Sequence, residues 1–191
     1  MCSLINFQPI SIINNKASSF YNLLPFLNVS NFESVKELRV ENCKLPELYS
    51  MLQVKFTNLR FLELRRTSLT KKFFNNETKL EEISLRHAKI EMENLSFFRM
   101  PELKKIFLSW SGSSLVLKKD ALAYMPQLKI VAIQRCNINL LPETLFTNST
   151  NVQHIDFWYN DITHVPNTLF TNLTKLQTIN LNHNKIASID L

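Results

Sequence analysis

The chain has almost no glycine: Gly112 is the only one in 191 residues. A single glycine cannot build the phosphate-cradling loops of nucleotide enzymes, so that class of site is excluded. No run approaches 18 apolar residues, and no stretch reads as a membrane span. The opening residues, Met1-Cys2-Ser3-Leu4-Ile5-Asn6, lack the basic flank and apolar core of a signal peptide. No Pro-, Gly- or Ser-rich linker interrupts the sequence, and no basic block accompanies the net charge of +6. Basic and acidic side chains alternate instead, which describes a mildly basic solvated surface and no nucleic-acid partner. The four histidines are scattered: His87 and His183 lie far apart, and His154 and His164 fall on different sides of one turn. No metal-ligand spacing occurs, and no nucleophile stands beside a base and an orienting carboxylate. The sequence is therefore expected to carry no cofactor or metal and not to be an enzyme. With 45% hydrophobic residues, it suffices for one unit with a substantial core.

What the chain does have is a recurring row. Val152, Ile155, Phe157, Asn160 and Ile162 spell LxxLxLxxNxL, and 24 residues later Leu176, Ile179, Leu181, Asn184 and Ile186 spell it again. Earlier copies are Leu128/Val131/Ile133/Cys136, Leu103/Ile106/Leu108/Ser111, Leu80/Ile83/Leu85/Ala88, Leu59/Leu62/Leu64/Thr67 and Val35/Leu38/Val40/Cys43. The starts at 35, 59, 80, 103, 128, 152 and 176 lie 21 to 25 residues apart, the period and pattern of a leucine-rich repeat. Within each unit the Leu-x-Leu step has period 2, so those side chains share one face of a short strand. One such strand cannot bury that face alone, whereas stacked copies form a parallel sheet over a continuous core.

The expected fold is an α/β-type repeat solenoid, a leucine-rich repeat horseshoe with a concave parallel β-sheet and an irregular or short-helical convex side. Residues 35–191 are read as an array of about seven repeats, the last one truncated. Residues 1–34, with the looser row Phe7/Ile10/Ile12/Asn15, are read as a degenerate first repeat or an N-terminal flank. The array stops inside a repeat at Leu191 with no capping unit visible, so a piece of a longer protein or an incomplete gene model is expected.

The ninth residue of each unit must turn the chain away from the sheet. Asn15, Asn160 and Asn184 hold that slot in three units, where an Asn side chain can satisfy backbone groups of neighbouring turns. Small residues take it elsewhere, including Cys43 and Cys136. Four repeats separate these cysteines, roughly 20 Å at the strand spacing, beyond the roughly 7 Å a disulfide tolerates. They are expected to be small buried thiols. A second apolar marker, Phe74, Phe97, Leu122, Phe146 and Phe170, precedes successive starts by six residues and is expected to form a spine under the convex surface. The unit from Leu59 is short on its outer side, and the unit from Leu103 carries Gly112, where a positive φ or a close backbone approach is expected.

The x positions of LxxLxLxx are expected to face the concave side. The eighth position runs Asn42, Arg66, His87, Trp110, Arg135, Tyr159, His183, and the seventh includes Arg65, Arg86 and Trp158. Phe107, Ala132 and Asp156 hold the fifth, and Phe61 and Ile130 the third. Neighbours in a column sit about one strand spacing apart, so Trp110, Arg135 and Tyr159 are placed to stack as an aromatic–guanidinium–aromatic set. Both tryptophans fall on this solvent face, and Trp, Tyr and Arg are frequent anchors of protein interfaces. Candidate ligand-binding residues are Arg66, Arg86, His87, Phe107, Trp110, Arg135, Trp158 and Tyr159. The competing expectation is that these side chains merely pack on one another.

Five Asn-x-Ser/Thr acceptors occur, at Asn28, Asn76, Asn94, Asn148 and Asn172. Asn76, Asn148 and Asn172 each lie two residues beyond a spine phenylalanine, where a glycan would project from one edge and leave the sheet free. The phrases Leu141-Pro142-Glu143-Thr144-Leu145-Phe146 and Val165-Pro166-Asn167-Thr168-Leu169-Phe170-Thr171-Asn172-Leu173-Thr174 resemble the typical extracellular repeat subclass of Toll receptors and related animal surface proteins. The irregular units around Asn42-Cys43-Lys44-Leu45-Pro46 and Leu108-Ser109-Trp110-Ser111-Gly112 are most similar to the N-terminal part of an insect-type Toll ectodomain.

That resemblance implies an extracellular ligand-recognition module of a single-pass plasma-membrane receptor. It further implies a dimeric cystine-knot cytokine of the Spätzle type as ligand, receptor dimerisation, and a cytoplasmic TIR domain outside this chain. A secreted or surface leucine-rich repeat adhesion or matrix protein without TIR signalling shares every visible feature. A cytosolic repeat adaptor is favoured by the missing signal peptide and opposed by the spine and the sequons. Endosomal nucleic-acid sensing through protonated histidines has only four scattered histidines behind it.

Overall fold

A short strand with one apolar face is stable only when another strand covers its flank, and this chain supplies that strand repeatedly. The computed structural model describes residues 10–13, 32–41, 56–69, 79–90, 100–110 and 115–189. Eight strands form one sheet in chain order: β1 (Ile10–Ile13), β2 (Glu37–Glu41), β3 (Phe61–Arg65), β5 (Glu82–Arg86), β7 (Lys105–Ser109), β8 (Ile130–Gln134), β9 (His154–Asp156) and β11 (Thr178–Asn180). Every neighbouring pair is parallel. Leu38, Leu62, Ile83, Ile106, Val131, Ile155 and Ile179 fall in one register column. Val40, Leu64, Leu85, Leu108 and Ile133 form the next, two residues on. All of them are buried except Ile179, which is 42% exposed because no described strand covers its outer side. The chain is the expected parallel-sheet solenoid, and β1 continues the sheet with Ile10 opposite Leu38 and Ile12 opposite Val40.

Two small parallel pairs accompany the main sheet: β4 (Ser68–Leu69) with β6 (Lys89–Ile90), and β10 (His164–Val165) with β12 (Ser188–Ile189). β4 and β6 directly follow the turn slot and β10 and β12 start four residues past it, so the pairs form two separate short ladders that the Leu-x-Leu row does not announce. Among the described residues the convex side is turns and extended chain, and a 3-10 helix at Phe32–Ser34 is the one helix. Leu122 and Phe146 of the expected spine are buried and Phe170 is half-buried, while Phe74, Phe97 and Gly112 lie outside the described residues. Ser149 fastens this side: its hydroxyl donates to the Leu122 carbonyl (2.7 Å) and accepts from the Met125 N–H (2.9 Å).

On the strands' leading edge, Glu81 faces Lys104 at 2.7 Å and Arg60 at 3.6 Å. The hydrogen bond from Lys104, with the charges of Lys104 and Arg60, holds its carboxyl below the usual carboxylate range. This pair is largely solvated, so its contribution to stability is small.

The turn slot shows why Asn recurs there. Asn160 is buried, and its Oδ1 accepts from the Cys136 N–H (3.0 Å) and the Ile138 N–H (3.2 Å) of the preceding turn. Its Nδ2 donates to the Ile133 (2.7 Å) and Phe157 (2.9 Å) carbonyls. Asn184 repeats the arrangement toward Ile162 N–H (3.1 Å) and the Phe157 and Leu181 carbonyls (2.9 Å each). Cys136 fits as the buried small residue expected, its Sγ 3.2 Å from the Gln134 carbonyl. Thr67, in the same slot, keeps a buried hydroxyl with no hydrogen-bond partner among the described residues. Asn160→Ala strands two buried N–H groups at about 1–3 kcal/mol each, so a loss of about 3–5 kcal/mol is expected in urea unfolding. Thr67→Val removes only an unsatisfied hydroxyl and should be neutral or slightly stabilising. A loss under about 1 kcal/mol for Asn160→Ala would mean that water replaces the side chain.

Candidate functional site

Strands β2, β3, β5, β7 and β8 end at the seventh residue of their repeat and β9 and β11 at the fifth, and from the unit of β3 onward the eighth residue is left-handed. Arg66, His87, Trp110, Arg135, Tyr159 and His183 all have φ between 49° and 57°. A cross-turn hydrogen bond accompanies five of these six turns. The N–H of Arg66 donates to the Arg86 carbonyl (3.0 Å), His87 to Ser109 (2.8 Å), Trp110 to Gln134 (3.2 Å), Arg135 to Trp158 (3.1 Å) and Tyr159 to Asn182 (3.0 Å). The chain thus begins to turn one residue earlier than the ninth-position slot implied. The eighth column stands as a row along the exit edge of the concave face, and nothing in the residue types foretold it. Positive φ favours Gly and Asn, whereas these residues are large.

Their side chains join into one ladder. The Arg135 guanidinium lies 5.1 Å from the Trp110 ring centre, 4.7 Å from Trp158 and 4.6 Å from Tyr159. His87 stacks on Trp110 at 5.1 Å on one side, and His183 meets Trp158 (5.7 Å) and Tyr159 (5.8 Å) on the other. Trp158 and Tyr159 are 5.4 Å apart. The expected aromatic–guanidinium–aromatic set therefore forms, with Trp158 as a third ring and His183 as a member outside the expected residues. Trp110 and Tyr159 remain about half exposed, at 49% and 50%.

Arg66 and Arg86 are drawn elsewhere. Arg66 pairs with Glu41 at 3.2 Å. Glu63, only 5% exposed, gathers Arg65 (3.0 Å), Arg39 (3.4 Å) and Arg86 (3.5 Å), and Arg39 also lies over the Phe61 ring at 4.8 Å. Beside Glu63 in register is Ser84, buried with an unpartnered hydroxyl.

Between these arginines and the ladder the sheet dips into a shallow depression of about 470 Å³. Phe107, Ile130 and Ala132 form its apolar part, Arg86 stands at one corner, and Gln134, His154, Asp156, Thr178 and Asn180 line the other side. Asp156 Oδ1 accepts from the Trp158 N–H (2.9 Å) and Oδ2 accepts from Gln134 Nε2. Thr178 Oγ1 lies 2.9 Å from His154 Nδ1. Glu63, Gln134 and His183 were the contributors that residue types alone did not single out. Their role follows from register, because each has a partner one strand away, Glu63 having Arg65 on its own strand as well. Asn148 and Asn172 are exposed on the return turns, Asn148 with φ 60°, while Asn28, Asn76 and Asn94 lie outside the described residues. Among the described residues, no group of three His, Cys, Asp or Glu side chains converges as a metal site, and no helix is long and apolar enough to cross a membrane.

Residues 2–123 match the family described as a BspA type leucine rich repeat region of 6 copies, and residues 126–186 match the leucine rich repeat family. No curated protein matches the sequence. Among solved structures the fold is similar to InlP of Listeria monocytogenes, with a TM-score of 0.64 and 18% identity over 95% of this chain and 55% of that one. It is also similar to a chain of the Toll–Spatzle complex, a molecular hub in Drosophila development and innate immunity. That match has a TM-score of 0.55 and 18% identity over 80% of this chain and 24% of that one. At such identity the likeness is one of fold, and this chain spans about half of the first protein's length and about a quarter of the second's.

If the cross-turn bond imposes the left-handed turn, the residue at position 110 should matter by backbone type. Trp110→Asn should leave stability within about 1 kcal/mol, because Asn tolerates this region and the lost contacts are half solvated. Trp110→Val should cost about 1–2 kcal/mol more, since a branched Cβ crowds the following carbonyl. Equal denaturant midpoints for the two would show that the turn relaxes.

Proposed function

The chain belongs to the leucine-rich repeat family, and from that premise we propose that it is the extracellular ligand-recognition module of a Toll-type receptor. Its ligand is a protein, a cystine-knot cytokine of the Spätzle type, taken on the concave face and its exit edge. Residues 35–191 act as the recognition array, with 1–34 as its degenerate first unit. The parent protein is a single-pass membrane receptor whose span and TIR domain lie outside this chain. Proteins of this family bind protein partners, and a Toll chain in complex with Spatzle is among the structures this fold is similar to.

One observation carries the proposal. Six consecutive turns hold Arg, His, Trp, Arg, Tyr and His in a left-handed conformation that costs non-glycine residues about 1–2 kcal/mol each. Asn or Gly would make the same turn at less strain. Strain kept in a row, on an accessible edge, marks residues retained for what they touch. Trp, Tyr and Arg bury large rigid area with little loss of side-chain freedom, which is why they dominate interface energetics. The packing alternative explains the ring contacts but not why such side chains occupy a turn that disfavours them.

Glycans on Asn148 and Asn172 complete the reading. Both are exposed on return turns, so sugars there leave the sheet open. Expressed behind a secretion signal in insect cells, the protein should show a glycosidase-sensitive mass shift mapping to both. Secreted protein bare at both would remove the compartment argument. For binding, Trp110→Ala or Tyr159→Ala should weaken affinity for a Spätzle-type cytokine by about 2 kcal/mol, or about 30-fold. Lys118→Glu, at an exposed position away from the sheet, should leave it unchanged. If Trp110→Ala unfolds the array while its folded fraction binds normally, the ladder is packing and the site is misassigned.

A further inference from the structure

Five carboxylates lie on the described strands, and four are neutralised. Glu37 pairs with Arg39 (3.3 Å), Glu41 with Arg66 (3.2 Å), Glu82 with Lys105 (3.0 Å), and Glu63 with three arginines. Asp156 is the exception. Among the described residues no cation lies within 4.0 Å of it, and its two fixed bonds come from neutral donors, Gln134 Nε2 and the Trp158 N–H.

Its charge is not needed for the turn it makes. One turn later Asn180 does the same work, its Oδ1 accepting from the Asn182 N–H at 3.1 Å. A neutral amide serves there, so the negative charge at position 156 is additional to the structural task. Next to Asp156 in register is Ala132, and beyond Ala132 is Phe107. The small Ala132 leaves a dip between a ring and a carboxylate that stand two strand spacings apart, about 10 Å. An alkyl stem of four carbons or so fits over Ala132 against Phe107 and delivers a charged head to Asp156, the way long basic side chains divide between apolar surface and a polar end.

We propose that Asp156, with Ala132 and Phe107, is the seat for a lysine or arginine side chain presented by the protein partner. The proposal rests on the concave face being the binding face and names the chemistry of what that face receives. Gln134 and the Trp158 N–H hold the carboxylate in place before binding, so little ordering remains to be done when the cation arrives.

The test uses the 15N-labelled full chain and a small probe, Nα-acetyl-lysine N-methylamide, with Nα-acetyl-norleucine N-methylamide as the uncharged control. The reporter is the Trp158 amide resonance, since that N–H is bonded to Asp156. A saturable shift is expected with the lysine probe, at least tenfold weaker affinity with norleucine, and loss of the difference in Asp156→Asn. That variant keeps an oxygen for the Trp158 N–H and an amide for Gln134. Should Asp156→Asn fail to fold, the wild type alone decides: raising NaCl from about 20 to 500 mM should weaken the lysine probe severalfold by screening and leave norleucine unchanged. Equal response to both probes, no response to lysine, or salt-independent lysine binding overturns the proposal. Any of these results, with Trp110→Ala still lowering partner affinity, leaves the protein-binding face in place and removes only Asp156 from it.

Discussion

Adjacent turns are held by hydrogen bonds, running in both directions, that mostly join near-equivalent residues of neighbouring turns. The strand bonds set the register, and the eighth-position N–H extends it past the strand by reaching the seventh-position carbonyl of the following turn. The rest of the structure depends on this repetition. It stacks Leu38, Leu62, Ile83, Ile106, Val131 and Ile155 into one buried column. It also accompanies the left-handed turn at five of the six eighth-position residues, which line up along one edge. The core and the row of exposed rings are two results of the same bond pattern.

The concave face is divided along its length. Toward β2, β3 and β5 it is a mesh of arginines and glutamates that satisfy one another. Toward β8 and β9 it is rings, one guanidinium and a depression with an apolar floor. Exposed ion pairs add little to stability or affinity by themselves, because water and salt compete with them. Rings around a single cation lose less on desolvation and keep their shape. One sheet thus carries a rigid, partly apolar end and a polar, self-compensated end.

The core was legible because its signal is local and repeated: the Leu-x-Leu row gave the strands, their order and their buried faces. The stacking of Trp110, Arg135 and Tyr159 was legible for the same reason, since a fixed period puts like positions side by side. The left-handed eighth column was not. A turn of that kind announces itself through Gly or Asn, and here the residues at the turn contradict its preference. The short ladders β4–β6 and β10–β12 were missed because two-residue strands carry no periodicity. Arg66 and Arg86 were placed on the right face, but their partners Glu41 and Glu63 decide what they do, and such pairing depends on rotamers that spacing does not fix.

Glu63 has a consequence of its own. It is nearly buried, and three guanidiniums from three consecutive strands converge on it. Among the described residues Glu37 reaches only Arg39, whereas Glu63 meets all three guanidiniums, so its carboxylate works as a shared keystone and not as one half of a pair. Its neutralisation would leave Arg39, Arg65 and Arg86 facing one another across neighbouring strands, where like charges repel. The side chains would splay outward, and a self-satisfied patch would become a cluster of free donors. One residue under the surface thus decides whether that end of the sheet offers a partner a closed mesh or an open set of cations.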